Sequence, residues 1–551
     1  MTQPTNTNGP ALYDAVPYGG GAYAQTHPDV LAVVASLRGL QPAPPERCRV
    51  LEIGCAGGHN LLALAAALPD AELVGVDYSV RQIEQARRYV DQLGADNVSF
   101  HQLDILDWDG SLGRFDYVIA HGVYSWVAAP VRDALLRLCA QALTSQGVAY
   151  ISYNTYPGWF MLRGLREIMF YHVAGTEDPT ERAEQAIGFV EWLADVVDGE
   201  RPIPYSAFPS AYADMLRTYV EGNLKTLERD ASTFLHDELS EVNDPVYFHQ
   251  FHSHAQAYGL RYVGDADFSS MLSTNIPPEA TAKLREVIHN PVDAEQYMDF
   301  LRNRSFRRSI VCREDVKLSG AVHHAALESF YFSSAAKAQV QPGDDPARQS
   351  VKFVSIDGAG LITDHPVTVV AMNTMRANWP QRFTLDELMD AAYAALAEMN
   401  PDDARWRAAL HGDLSLRSED RPPLIASLLR AFSSSPELVN CHVTRGRFVA
   451  AAGDRPVASA WARLLAEEQS NVSDLRLRRV DLNPLERFLL VRLDGEHTAD
   501  DLVQAVIDGP VARGDWRIGD ETTSADGARA TVQQAVLSTL RWFADVALLV
   551  A

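Results

Sequence analysis

Three carboxylates punctuate the early part of this chain, each where an apolar run gives way to a loop. Glu52 stands in Val50-Leu51-Glu52-Ile53, Asp77 ends Leu73-Val74-Gly75-Val76-Asp77, and Asp104 follows Gln102-Leu103. Between the first two lies Gly54-Cys55-Ala56-Gly57-Gly58-His59-Asn60, a small-residue turn that opens into an apolar run. Such a turn lets backbone approach a ligand closely and leaves the first N–H groups of a helix free to bind it. A dinucleotide site would want glycine at three fixed positions, and counting from Gly54 this chain has Ala56 and then His59 at the later two. A carboxylate at Glu52 would also repel a pyrophosphate, whereas it would attract a cation.

S-adenosylmethionine meets that description, with an ammonium, a sulfonium and a ribose but no phosphate. Asp77, next to Tyr78, is expected to accept hydrogen bonds from both ribose hydroxyls, and Asp104-Ile105 to lie against the adenine. Glu52, Gly54, Ala56, Gly58 and Asn60 complete the expected donor-binding set, with His121 on its wall. Each acid alone reads equally as a solvated turn residue; three at successive strand ends argue for a site. Displacement at a sulfonium methyl is in-line and needs no metal, only alignment and exclusion of water.

Two more loops should reach the same edge. Phe115-Asp116-Tyr117-Val118-Ile119-Ala120 leads into His121-Gly122-Val123-Tyr124-Ser125-Trp126-Val127, and a later strand into Tyr153-Asn154-Thr155-Tyr156-Pro157-Gly158-Trp159. Ligands in open α/β sheets bind outside the carboxyl ends of the strands. His121, Tyr124, Trp126 and Tyr156 are therefore the candidate catalytic residues. Imidazole titrates near neutrality and suits a base, while aromatic walls can hold a cation or strip water from an amine. The competing reading is packing under helices for the aromatics and a hydrogen-bonded wall for His121.

The elements that must position these residues read as strands near 49–53, 72–76, 98–103, 115–120 and 147–153, alternating with helices near 59–68, 79–93 and 130–143. That alternation predicts a doubly wound, Rossmann-like α/β sheet with parallel strands. Residues 1–46 read as a mobile arm, a short helix and a Pro-rich linker, 47–175 as the donor-binding domain, and 176–320 as a mostly helical middle domain. A second linker at 341–346 falls within 321–551, a mixed α/β C-terminal domain of winged-helix-like character. The span beyond Thr176 exceeds what methyl transfer needs. It is expected to present a substrate, so a fragment 1–175, if folded, should bind donor yet lose most transfer.

Composition narrows the partners. Of 551 residues, 72 are acidic and 48 basic, a net charge of −24 that disfavours nucleic acid. Five scattered cysteines suit neither a disulfide framework nor a metal site and point to the cytoplasm, and no run is long and apolar enough for membrane insertion. His249, His252 and His254 would not share a helix face, which argues against a metal site. The basic run Arg302-Asn303-Arg304-Ser305-Phe306-Arg307-Arg308 is expected to be a solvated face or an internal ion-pair partner.

Glu52-x-Gly54-x-Ala56-x-Gly58, Asp77 and Asp104 resemble the class I methyltransferase motifs, with Ala56 replacing the middle glycine. Gln25-Thr26-His27-Pro28, the two aromatic loops, Leu239-Ser240-Glu241-Val242-Asn243-Asp244-Pro245 and Asp299-Phe300-Leu301-Arg302-Asn303 extend the resemblance over roughly residues 11–315. They resemble bacterial methyltransferases with a methyltransferase regulatory domain, a group that includes rickettsial protein-lysine methyltransferases acting on outer-membrane protein. The resemblance implies S-adenosylmethionine as cofactor, transfer to a protein or peptide lysine amine, and a homodimer. A small-molecule N-, O- or C-methyltransferase is the alternative, and a donor-binding regulator without turnover is a third.

Overall fold

Parallel strands covered on both faces must be apolar almost throughout, and the runs that meet this condition form the sheet. The computed structural model describes residues 18–198, 209–229, 231–272, 276–320, 322, 324–340, 350–411, 414–516 and 525–550. The expected arm before residue 18 and the linker at 341–346 lie outside them. The strands are β1 (Arg49–Ile53), β2 (Glu72–Asp77), β3 (Val98–Gln102), β4 (Phe115–Ala120) and β5 (Leu143–Asn154), all parallel. The helices His59–Ala67 and Val80–Leu93 pack on one face and Ala129–Ala142 on the other. Ser79 caps Val80–Leu93 by accepting from the Gln82 N–H, and Gly94 ends it in the left-handed conformation.

Two antiparallel strands complete the sheet, and they come from the region read as mostly helical. β6 (Leu260–Asp265) and β7 (Phe306–Arg313) give the order β3-β2-β1-β4-β5-β7-β6, with β7 antiparallel to both neighbours. The helices between β5 and β6 carry their own apolar core, including Leu165, Met169, Ile187, Leu216 and Phe234. A cut at residue 175 would strip β7 from β5, unpairing Val148 to Asn154. A 1–175 fragment would therefore expose a long apolar strand edge.

The basic run turns inward. Arg307 is fully buried, pairs with Asp299 at 2.8 Å and Glu295 at 3.0 Å, and lies over the Phe248 ring; Arg304 pairs with Asp265 at 3.2 Å. These ion pairs fasten β7 to the helix Pro291–Arg302. The three histidines of the helix Phe248–Ala257 find separate neighbours: His249 meets Gln296, His252 the Phe248 ring, and His254 meets Tyr124 and Asp133.

The C-terminal half closes on the back of the sheet. A small sheet of Tyr331–Ser333, Phe383–Thr384 and Asn440–His442 touches the helix Pro28–Leu37, itself buried on nearly every side. Further on, the helix Ala460–Glu468 packs Trp461 edge-on against both His59 and Tyr89, and the Tyr89 hydroxyl donates to Glu468 at 3.0 Å. No helix among the described residues is long and apolar enough to cross a membrane.

One buried carboxylate joins the two halves. Asp29, on the first turn of Pro28–Leu37, accepts from the Val443 N–H at 2.7 Å and the Thr444 N–H at 3.3 Å, lies 2.7 Å from His442 Nδ1 and faces Arg382 at 3.2 Å. Burial works against its charge, and Arg382 and His442 more than reverse that, holding the carboxyl well below the usual range. Burial and Arg382 push His442 down to about 4, so Arg382 supplies the positive charge and His442 a hydrogen bond. Asp29→Ala would leave Arg382 buried without its counter-charge, and we expect a loss of about 3–5 kcal/mol. Urea unfolding of the full chain checks this; an unchanged first transition would show that the network is dispensable.

Candidate donor and acceptor site

The sheet order reverses between β1 and β4, and the crevice at that switch point is where the expected donor residues emerge. Gly54 and Gly58 both have positive φ, +71° and +80°, and neither position has room for a side chain. A Cβ on Gly54 would lie 2.8 Å from Val123, and one on Gly58 2.6 Å from Phe100. Ala56 also adopts positive φ, +47°, at the cost that a Cβ incurs there. Its N–H donates to Asp77 Oδ2 at 2.9 Å, while Ser79 N–H donates to Asp77 Oδ1 at 2.9 Å. Asp77 thus ties the turn to β2.

Glu52 is the electrostatic centre of the crevice. It is only 4% exposed; Oε1 accepts from Asn60 Nδ2 at 2.8 Å, and Oε2 is buried without a hydrogen-bond partner. Burial, opposed by the Asn60 hydrogen bond and reinforced by Asp77, pushes its carboxyl up to about 8. A buried acid with one orphaned oxygen beside a small-residue turn fits a cationic donor. Asn60 in turn accepts from the Tyr23 N–H at 3.0 Å and donates to Thr26 Oγ1 at 3.0 Å, so the segment before Pro28 is clasped over the crevice.

The remaining predicted residues divide. Asp104 accepts from the Leu106 N–H at 2.9 Å and caps the short turn that begins at Ile105; Ile105 is partly buried and Tyr78 is 51% exposed, all on loops at the carboxyl edge. His121 lies beside Glu52's crevice, with Nδ1 2.9 Å from the Tyr150 hydroxyl and its ring 3.8 Å from that of Tyr23. Burial and Arg308 push it down to about 3. At neutral pH the ring is therefore uncharged and too weak a base to take an amine proton. That direction favours the wall over the acid–base role, the two readings the sequence left open for His121.

Tyr124 is held by the helix Phe248–Ala257. Its ring packs with Tyr153 and Phe251, and its hydroxyl meets His254 Nδ1 at 2.7 Å, away from the crevice; His254 Nε2 reaches Asp133 at 2.8 Å. Trp126 stands edge-on to Trp159 at 6.4 Å, joining the two aromatic loops. Tyr156 stacks on Phe160 at 4.4 Å and accepts from Arg163 at 3.2 Å.

Reading by segments missed Tyr18, Tyr23, His236 and Asp237. Tyr23 covers His121, Tyr18 meets the His236 ring at 5.8 Å, and Gln82 holds the Tyr18 carbonyl at 3.3 Å. The Tyr23 phenol is pushed up to about 12, mainly by burial, with Asp237 and Glu52 adding and Tyr18 opposing. Gln25-Thr26-His27-Pro28 was the available signal, since it precedes the buried helix directly.

Binding a cation beside Glu52 should drive the carboxyl into its ionised form. We expect donor binding at pH 7 to release up to about one proton, and affinity to rise with pH up to about 8–9. The sign for stability is opposite: a raised carboxyl favours the donor-free fold below the ordinary glutamate range, and that contribution is lost as pH rises through about 8. Calorimetry in buffers of different ionisation enthalpy reads the proton directly. Proton release that persists in Glu52→Gln would assign it elsewhere.

Residues 45–170 match a family described as a methyltransferase domain, 230–313 a predicted methyltransferase regulatory domain, and 454–548 the PKMT C-terminal winged helix domain. The uncharacterised protein RP789 of Rickettsia prowazekii is 30% identical over 557 residues, covering 98% of this chain and 93% of its own. The structure of PKMT2 from Rickettsia typhi in complex with AdoHcy aligns over 97% of this chain and 100% of that one, with a TM-score of 0.81 and 26% identity. A shorter match, 35% over 78 residues, is to the protein-lysine N-methyltransferase EFM4 of Saccharomyces cerevisiae, covering 14% of this chain and 34% of that protein. With the switch-point crevice and the seven-stranded sheet, these likenesses place the chain in the family of RP789, as an S-adenosylmethionine-dependent class I methyltransferase with a regulatory domain and a PKMT-type winged helix.

Proposed function

We propose that the chain methylates the side-chain amine of lysine in a protein substrate. One observation carries the reading: beside the donor carboxylate Glu52 lies a second cluster, Tyr18, Tyr23, His121 and Asp237, that is aromatic and acidic. Such walls suit an amine that arrives charged and must be stripped of water. The likeness to the yeast protein-lysine N-methyltransferase supports the same acceptor.

Glu52, the Gly54–Gly58 turn, Asn60 and Asp77 would hold S-adenosylmethionine, with Tyr78, Asp104 and Ile105 at its adenosine end. That cofactor supplies a methyl group on a positively charged sulfur. The chain's own work is alignment. The Tyr23 ring presses on His121 and excludes water, and Trp126 and Tyr156 border the approach. A lysine ammonium has a reference pKa of about 10.4, so it must lose a proton first, and the low-dielectric aromatic walls favour its neutral form. The proton passes to water, and Asp237 lies close enough for its charge to act on the Tyr23 phenol. In the division of labour we propose, 47–175 carries the donor turn, 176–320 completes the sheet and faces the acceptor, and 321–551 supports the site from behind.

The test is mass spectrometry of a cell lysate incubated with the full chain and isotopic donor. Label on lysine residues of proteins is the expected result; label on metabolites alone would sink the reading in favour of a small-molecule acceptor. Because His121 stays neutral across the working range, we also expect His121→Asn to change the rate while leaving the shape of the kcat/KM pH profile between 6 and 8 intact. A lost inflection near 6.5 would restore His121 as the base.

A further inference from the structure

Beyond the crevice, five aromatic rings from three separate parts of the chain form an unbroken row. Phe160 stacks on Tyr156 at 4.4 Å between centroids, Tyr156 meets Tyr247 at 5.4 Å, Tyr247 meets Phe300 at 6.0 Å, and Phe300 meets Tyr297 at 5.8 Å. Tyr156 belongs to the loop after β5, Tyr247 precedes the helix Phe248–Ala257, and the last two lie on Pro291–Arg302. Phe160 is 55% exposed and Phe300 45%. Met161 and Leu301, also exposed, neighbour them in sequence. A contiguous exposed apolar patch on a folded protein marks a surface that binds something.

We infer that this row is the track on which the polypeptide flanking the methyl acceptor lies, in extended form and with lysine or arginine side chains over the rings. The inference rests on the protein-acceptor reading above and adds the surface that selects the substrate. Continuity is the first argument. Tyr156 sits two residues past the end of β5, and Trp159 of the same loop meets Trp126 of the loop after β4, so the row starts at the catalytic edge. Because Phe160 also lies 6.3 Å from Tyr247, the row spans at most about 18 Å centre to centre, about five residues of extended chain at ~3.3 Å each.

Charge selects the occupant. The neighbouring guanidinium groups are committed: Arg163 to the Tyr156 hydroxyl, Arg302 to the Ser270 and Leu272 carbonyls, and Arg304 to Asp265 and Asp299. The exposed Glu167 stands close enough for its charge to act on Arg163, as does Asp244, which is itself paired with Arg132 at 2.6 Å. In a protein of net charge −24, such a surface repels phosphate-bearing partners and receives a cationic chain, whose ammonium or guanidinium groups gain from the ring faces.

The test reads binding, separately from turnover. The probe is a fluorescein-labelled ten-residue peptide of alternating lysine and phenylalanine, titrated with the full chain in the presence of S-adenosylhomocysteine and followed by anisotropy. Phe160→Ser and Phe300→Ser combined should weaken peptide affinity at least tenfold while leaving donor affinity unchanged, and Phe300→Tyr should retain it. Both positions are exposed, so folding should be preserved, and circular dichroism verifies this. Equal peptide affinity in the double variant overturns the proposal. So does a double variant that sediments as a smaller species than the wild type, because the row would then be covered by a second copy of the chain. Lysine labelling in lysate with unaltered peptide binding would reject the track alone; metabolite labelling would reject the acceptor reading instead.

Discussion

The burial of the Asp29 carboxylate governs how the rest of this molecule fits together. A charge taken out of water is tolerated only when it is paired and hydrogen-bonded, and every partner that Asp29 uses, Arg382, His442, Val443 and Thr444, comes from the C-terminal half. The helix it opens is buried through Leu31, Val33, Val34 and Leu37, so its orientation is set from both sides. The residues just before it, Tyr23 and Thr26, are those that clasp Asn60 and through it Glu52. The donor crevice is thereby completed by a segment whose position depends on contacts about four hundred residues away in sequence. This gives a physical role to a large C-terminal region that takes no part in the sheet.

The same electrostatic logic recurs with opposite outcomes. Arg307 is buried with Asp299 and Glu295 in close pairs, and that cluster welds β7 to Pro291–Arg302. Glu52 is buried with an amide for one oxygen and nothing for the other, so its carboxyl rises instead of falling. A satisfied cluster is structural; an unsatisfied one waits for a ligand. His121 is buried with a partner, the Tyr150 hydroxyl, and burial with Arg308 nearby lowers its pKa.

Much of the catalytic edge was legible in the sequence because it is local. Strands buried on both faces appear as apolar runs, and Gly54 to Asn60 lies within a single strand–turn–helix unit, so Glu52, Gly58, Asn60 and Asp77 meet as expected. The aromatics after β4 were harder to read. Spacing brought Tyr124 to the right loop, but the direction of its hydroxyl depended on where Phe248–Ala257 would pack. The rings of Tyr156, Tyr247 and Phe300 had no visible connection until β7 and its helix folded back beside β5.

The class of fold and the donor were legible in the sequence alone, because both follow from about a hundred consecutive positions that obey strand and helix periodicity. Tertiary structure decided what lies beside the donor turn: Tyr23 folded onto His121, Tyr18 against His236, and the last two strands recruited from beyond a long helical insertion. Periodicity records which face of an element is buried, but not against what. The partners of a buried charge or a sheet edge are chosen by the whole chain closing on itself, and no local pattern encodes that choice.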